Sequence, residues 1–132
     1  FAQPDGTHCA ANQVLYNVGS RGIEYDLLPL MRQHQIPVMA YCPLAQAGRL
    51  RRGLLNHPAL RQIAGEHHAT VPQILLAFLL AQPGVLPIPR TGSAQHAQQN
   101  AAAAEIRLSA EELALLDAAF PKPKRKTRLE IV

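Results

Sequence analysis

The chain has 132 residues, of which 48% are hydrophobic and 17% are charged, and its formal net charge is +4. This length suits one domain, and the composition supports a packed core rather than a disordered segment. There is no apolar run of ~18 residues that could cross a membrane, no export leader, and too few cysteines for a disulfide framework, so we expect a cytoplasmic protein without membrane contact.

Strand and helix patterns alternate along the first half of the chain. The β-rich stretch 11–18 predicts a strand, and the apolar spacing over 23–34 predicts a helix with Asp26 as its cap. The continuous apolar run 36–41 predicts a strand that is buried on both faces. The stretch with glycine and proline between that strand and residue 57 predicts a loop.

The second half is predicted to be mainly helical. The predicted helices are 57–68, 71–82, 93–104 and 109–120. Thr70 with Gln73, and Ser109 with Glu112, have the spacing of capping boxes at the starts of two of these helices. Residues 85–88 predict one more short strand.

Helices between successive strands predict an α/β fold with three parallel strands. A doubly wound sheet and part of a (β/α)8 barrel both fit this pattern, and periodicity alone does not choose between them. Three parallel strands leave two open sheet edges, and the chain begins with Phe1 rather than Met. We therefore expect a fragment of a larger protein.

The basic side chains concentrate near the C-terminus. The basic residues of this segment are Lys122, Lys124, Arg125, Lys126 and Arg128. Trp is absent, and no aromatic residues alternate with these basic residues to stack on bases. We therefore predict a solvated basic tail over 121–132 and no nucleic-acid partner.

Three short motifs lie at or near predicted strand ends: 12–13, 40–44 and 88–93. The third motif leads from a strand into a helix, whose first N–H groups and positive dipole end attract anions. Arg90, Thr91 and Ser93 add donors that suit a phosphate. An ordinary capped helix is the alternative, and neither a G-x-G-x-x-G sequence nor a P-loop is present.

Taken together, three segments resemble the motifs of the aldo-keto reductase family. The segments are 12–17 (NQVLYN), 40–45 (AYCPLA) and 88–91 (IPRT) with Gln99-Asn100. They are similar to the family's NQVEY, AYSPLG and IPKS…R..EN motifs, in the family's order and at comparable spacing. The likeness covers nearly the whole chain and is greatest to the bacterial carbonyl-reducing branch.

The resemblance implies a (β/α)8 barrel that binds NADPH without a Rossmann domain. Residues 1–120 would be its last three strands with their helices, because a whole barrel takes ~250 residues. The parent would reduce small aldehydes or ketones to alcohols. The family's catalytic Asp, Tyr, Lys and His lie upstream of the matched segments, so no catalytic residue is assigned and the N-terminal half is missing. The alternative is a non-catalytic truncated module that binds a nucleotide or a partner protein.

The resemblance also implies roles at the nicotinamide and pyrophosphate. Gln13 matches the residue that binds the nicotinamide carboxamide, to which its amide offers both a donor and an acceptor. Tyr41 matches the aromatic residue that stacks on the nicotinamide ring. Cys42 replaces the usual Ser beside the pyrophosphate, and Leu44 lies in the loop that covers it.

At the adenosine end, Arg90 and Thr91 match the Lys-Ser pair that holds the 2′-phosphate. Asn100 matches the Asn that contacts adenine. Two positions depart from the family pattern, since His96 stands where the family has Arg and Gln99 stands where it has Glu.

Two other kinds of site are not predicted. His67 and His68 are adjacent, which does not put them on one helical face, and no H-E-x-x-H sequence is present, so we expect no metal. Cys42 as a nucleophile would need a paired base, and the sequence places none beside it.

Overall fold

The computed structural model describes residues 4–132, apart from the Thr7 side chain, so the first three residues of the predicted barrel segment lie outside the described residues. The strands of this part are β1 (Asn12–Leu15), β2 (Val38–Tyr41) and β3 (Val85–Pro87). They form one parallel sheet in the order β1-β2-β3, which confirms the predicted α/β class with parallel strands.

Six α-helices connect or follow these strands in the described chain. They are α1 (Leu27–Gln33), α2 (Arg49–Leu55), α3 (Pro58–Glu66), α4 (Val71–Leu80), α5 (Ala94–Ala102) and α6 (Ala110–Ala119). Short 3-10 helices cover Gly6–His8, Gly22–Glu24 and Ala103–Glu105. None of the helices in residues 4–132 is long and apolar enough to cross a bilayer.

The prediction of a loop between β2 and residue 57 is wrong, because this stretch contains α2. Leu50 and Leu54 are one helical turn apart, and Leu54 is only 3% exposed in the core. Burial of a leucine side chain is worth about 1.5–3 kcal/mol, which outweighs the ~1 kcal/mol that Gly53 costs inside a helix.

The predicted helix over 23–34 is also corrected. The 3-10 helix Gly22–Glu24 precedes α1. Asp26 does stand at the N-cap position of α1, as predicted, but its side chain makes no capping bond to the helix. The Asp26 carboxylate lies 2.9 Å from Nζ of Lys126 in the C-terminal tail. This hydrogen bond lowers the pKa of Asp26.

Both predicted capping boxes are confirmed. The Gln73 backbone N–H donates to Thr70 Oγ1 at 3.4 Å, and the Thr70 N–H donates to Gln73 Oε1 at 2.9 Å. At the start of α6 the Glu112 N–H donates to Ser109 Oγ at 3.1 Å, and the Ser109 N–H donates to Glu112 Oε2 at 2.7 Å. Each box satisfies N–H groups that a helix start otherwise leaves unpaired.

Helix α4 is the centre of the hydrophobic core. Its residues from Ile74 to Leu79 are all buried. Four of them belong to one core cluster with Leu60 and Ile63 of α3 and Leu116 of α6, namely Ile74, Leu75, Phe78 and Leu79. The helix leads directly into β3 and therefore begins at the edge of the sheet where the parallel strands end.

Strand β2 is well covered on one face only, so the prediction of burial on both faces is wrong. Val38 and Ala40 are completely buried, whereas Met39 and Tyr41 remain partly exposed. Since side chains alternate along a strand, the helices cover the Val38 face. Gln13 of β1 and Leu86 of β3 both pair with Met39 and thus share its face. We call Gln13, Met39, Tyr41 and Leu86 the open face.

A buried charge network joins the end of β1 to α6. Arg21, 5% exposed, donates to both Glu24 oxygens at 2.7 and 2.8 Å, to Asp117 Oδ1 at 2.8 Å and to the Phe120 carbonyl at 2.7 Å. Burial alone would lower the pKa of Arg21, but its bonds to Glu24 and Asp117 raise it overall. The Tyr16 hydroxyl donates to Glu24 Oε1 at 2.6 Å. Burial first, and then this bond, raise the pKa of Tyr16 far above its usual range.

The C-terminal tail runs along the outside of this region. Its side chains are exposed apart from a partly buried Pro123. Lys126 pairs with Asp26, and Lys122 Nζ lies 3.4 Å from Asp117 Oδ2. A cavity of about 310 Å³ separates the tail from Leu15 and the start of α1. The tail therefore lies beside the carboxyl end of β1.

Candidate cofactor-binding site

The connection that leaves β2 turns sharply at the carboxyl edge of the sheet. Cys42 and Ala45 adopt left-handed backbone conformations, with φ of 49° and 60°. This conformation costs a non-glycine residue about 1–2 kcal/mol. Two hydrogen bonds to the Cys42 carbonyl, from Asn17 Nδ2 at 3.1 Å and from the Ala45 N–H at 3.0 Å, hold the turn. The turn directs Leu44 toward the start of α4.

A cleft of about 330 Å³ lies beside this turn, bounded by α2, the start of α4, the β3–α5 connection and α5. We call it the α2–α5 cleft. Predicted site residues that line it are Leu44, Arg90, Thr91, His96, Gln99 and Asn100. The structure thus brings together residues as far apart in the sequence as Leu44 and Asn100.

The β3–α5 connection presents polar groups to the cleft. The Ser93 N–H donates to Thr91 Oγ1 at 3.1 Å, and the His96 N–H donates to Ser93 Oγ at 3.3 Å. Ser93 is therefore the N-cap of α5 and holds Thr91 in place, and it is not among the residues that line the cleft. The Thr91 hydroxyl hydrogen stays available to a ligand, beside the positive end of α5.

Helix α5 is attached to the start of α4. Gln73 Nε2 donates to the backbone carbonyl of Gln99 at 3.0 Å, while Gln73 Oε1 completes the capping box with Thr70. One side chain therefore sets both the start of α4 and the distance to α5. This bond ties two of the elements that bound the cleft to each other.

The cleft carries positive charge only. Arg51 and Arg90 both line it together with His96, and its lining includes no carboxylate. None of the ion pairs within residues 4–132 involves either arginine. Such a cleft suits an anion with several oxygen acceptors, above all a phosphate.

Sequence reasoning missed Arg51, Thr70 and Pro72 among the residues that line the cleft. Thr70 and Pro72 could have been found, because a helix that leads into a parallel strand must begin at the carboxyl edge. Arg51 lies on the helix that was predicted as a loop. The one-turn spacing of Leu50 and Leu54 was the only local signal for it.

The remaining predicted residues lie on or next to the sheet, outside the cleft. Gln13 and Tyr41 share the open face on neighbouring strands, and Cys42 follows Tyr41 directly, with its carbonyl bound by Asn17. Strands are spaced ~4.8 Å apart, so Gln13 on β1 and Arg90 beyond β3 are at least ~10 Å apart. A ligand that touches both groups of residues must be extended.

The residues that the structure describes hold no group of three His, Cys, Asp or Glu side chains arranged to bind a metal ion. Cys9 and Cys42 both carry free thiols. The chemistry that this arrangement offers is the binding of a long anionic ligand along the strand ends.

Comparison with protein families and curated proteins gives consistent results. Residues 3–120 match the model of the aldo/keto reductase family. The chain is 56% identical over 129 residues to methylglyoxal reductase YeaE of Escherichia coli (strain K12), covering 98% of this chain and 45% of that protein. It is 38% identical over 110 residues to pyridoxine 4-dehydrogenase of the same organism, covering 83% of this chain and 36% of that protein.

Solved structures give the same result. An aldo-keto reductase from Klebsiella pneumoniae in complex with NADPH is 59% identical, with a TM-score of 0.94 over 98% of this chain and 46% of that one. The thermostable aldo-keto reductase Tm1743, solved with the inhibitor epalrestat, is 42% identical with a TM-score of 0.72, over 82% of this chain and 39% of that one. The chain spans about half the length of the first relatives. These matches and the parallel sheet confirm the predicted part of a (β/α)8 barrel.

Proposed function

Because this chain belongs to the aldo/keto reductase family, we propose that it is the cofactor-binding C-terminal part of an NADPH-dependent oxidoreductase. The complete enzyme reduces small aldehydes or ketones to alcohols, and it acts in the cytoplasm, where two unpaired cysteines stay reduced. The observation that carries this proposal is the α2–α5 cleft, which gathers positively charged and polar side chains without any carboxylate. Relatives that are a methylglyoxal reductase and an NADPH-bound reductase support it.

The cleft holds the adenosine end of the cofactor in this proposal. Arg90 and the Thr91 hydroxyl donate to the 2′-phosphate, and the positive end of α5 adds to the attraction. Asn100 and Gln99 lie farther along α5 and face the adenine. These contacts to the 2′-phosphate favour binding of NADPH over NADH, because only NADPH carries that phosphate.

The open face holds the nicotinamide end. The Gln13 amide offers both a donor and an acceptor to the carboxamide, and the Tyr41 ring lies on the next strand to stack against the nicotinamide. Between the two ends, Cys42 and Leu44 flank the pyrophosphate. NADPH supplies the hydride when it is bound. The residues of this chain bind the cofactor and orient its nicotinamide ring.

The proton donor comes from outside this chain. Tyr16 is completely buried, its hydroxyl is bound to Glu24, and its pKa is raised, so it does not reach a substrate. We assign residues 1–120 to the barrel and 121–132 to a tail beside the strand ends. The missing N-terminal half pairs with the free edges of β1 and β3 and provides the catalytic residues.

Arg90→Ala in the complete protein tests this proposal. A hydrogen bond to a charged group contributes about 1.5–3 kcal/mol, so NADPH should bind about ten- to hundredfold more weakly while NADH changes little. Titration that follows the fluorescence of the cofactor itself measures both dissociation constants, since this chain contains no Trp. Arg61→Ala is the matched control, because Arg61 is exposed on α3 and does not line the cleft. Equal losses for NADPH and NADH would contradict the assignment.

A further inference from the structure

Two arginine side chains from different elements line the α2–α5 cleft. Arg90 belongs to the β3–α5 connection, and Arg51 belongs to α2, where it is partly buried. The lining contains no carboxylate that could neutralise either guanidinium. The cleft therefore offers two cationic side chains to an anionic ligand group.

We propose that Arg51 is a second cationic contact to the 2′-phosphate and a residue that determines the preference for NADPH. The proposal rests on the function proposed above. Nothing in the sequence motifs points to Arg51, because it belongs to none of the three segments that carry the family resemblance. Its place in the cleft is a result of the fold.

Helix α2 holds Arg51 in position. Leu54 anchors the helix in the core at 3% exposure, and Asn56 Nδ2 donates to the Arg52 carbonyl at 2.9 Å at the end of the helix. A guanidinium on a fixed helix loses less freedom on binding than one on a flexible loop, and its planar fork suits phosphate oxygens. Arg51 therefore contributes specific binding in addition to charge.

Helix α5 contributes no permanent positive charge to the cleft. His96 and Gln99 occupy positions on α5 that face the cleft, and neither carries a permanent positive charge. Arg90 alone then faces a phosphate that carries nearly two charges at neutral pH. Arg51, on α2, supplies the second positive charge in this proposal.

The test compares two nucleotides that differ in the 2′-phosphate, adenosine 2′,5′-bisphosphate and adenosine 5′-monophosphate. Both are titrated calorimetrically into the complete protein, so the readout is binding rather than turnover. Arg51→Ala should weaken the bisphosphate about ten- to hundredfold and the monophosphate less than threefold. Arg51→Lys keeps the charge without the fork and should give an intermediate loss for the bisphosphate.

Arg52→Ala is the matched control. Arg52 is the next residue on α2, is exposed and does not line the cleft, so its removal should leave both dissociation constants unchanged. Thermal unfolding without ligand shows whether each variant is folded.

The two titrations distinguish a wrong role for Arg51 from a wrong assignment of the NADPH site. If the unaltered protein binds both nucleotides equally, the NADPH site itself is refuted. If the unaltered protein discriminates and Arg51→Ala behaves like Arg52→Ala, only the role of Arg51 is refuted. Equal weakening of both nucleotides by Arg51→Ala would also overturn the proposal, because Arg51 would then act on the 5′-phosphate.

Discussion

Replacement of Arg21 by Met is expected to destabilise the complete protein severely without touching the cofactor site. The Arg21 side chain is 4% exposed and its guanidinium lies 5.0 Å from the centre of the Phe78 ring. It donates two hydrogen bonds to Glu24, whose side chain is 9% exposed. Met fills similar volume but leaves the Glu24 carboxylate buried without a cation.

The unpaired Glu24 determines the size of the effect. Loss of one partner from a buried ion pair costs about 3–5 kcal/mol. The Asp117 side chain is 39% exposed and also lies near Lys122. Water therefore screens the Arg21–Asp117 ion pair, and the loss of this pair adds only about 0–1 kcal/mol. The Phe120 carbonyl loses a charged donor, which adds about 1 kcal/mol. Together these contributions give an expected loss of about 4–7 kcal/mol.

Urea unfolding of the complete protein, followed by circular dichroism, measures this loss. With a denaturant dependence of about 2–3 kcal/mol per molar urea, a loss of 4 kcal/mol moves the midpoint down by about 1.3–2 M. Arg61→Met removes an exposed arginine from α3 and should move the midpoint very little.

A second variant separates charge from packing. Arg21→Met combined with Glu24→Gln removes the unpaired charge, so its loss should shrink to about 1–2 kcal/mol. The reasoning is refuted if Arg21→Met costs less than about 1.5 kcal/mol. It is also refuted if the double variant is as unstable as the single variant.

Further expectations concern acid stability and cofactor affinity. Burial opposes ionisation of Glu112, but hydrogen bonds from the Ser109 backbone and from His67 lower its pKa overall. The stability from this carboxylate is therefore present above its unfolded pKa of about 4.3 and is lost as the pH falls through the lowered value. Glu112→Gln should flatten the dependence of the urea midpoint on pH between about 5 and 3, and an unchanged slope would count against this. His96→Arg adds a permanent charge to the cleft and should tighten NADPH by about 1 kcal/mol at pH 8, without an effect on NADH. An unchanged NADPH constant in fluorescence titrations would show that position 96 does not face the phosphate.

The sequence alone predicted the capping boxes, the parallel α/β pattern and the family resemblance of this chain. The Thr70–Gln73 and Ser109–Glu112 boxes span three positions, so their hydrogen bonds depend only on the residues themselves and on helical geometry. The alternation of strand and helix patterns predicted a parallel α/β sheet, because a helix between two strands makes them parallel. The resemblance in three segments pointed to the family, and six of its implied residues do line one cleft.

Only the tertiary structure decided the features that depend on distant partners. Helix α2 is stabilised because Leu54 packs into the core. This helix places Arg51 in the same cleft as Arg90, although the two residues are far apart in the sequence. Arg21 is buried because Glu24 and the Phe120 carbonyl, 99 residues away, satisfy its donors together. The burial of a charge, and the side of a sheet that stays open, are set by groups brought together through long-range packing, and no window of neighbouring residues contains those groups.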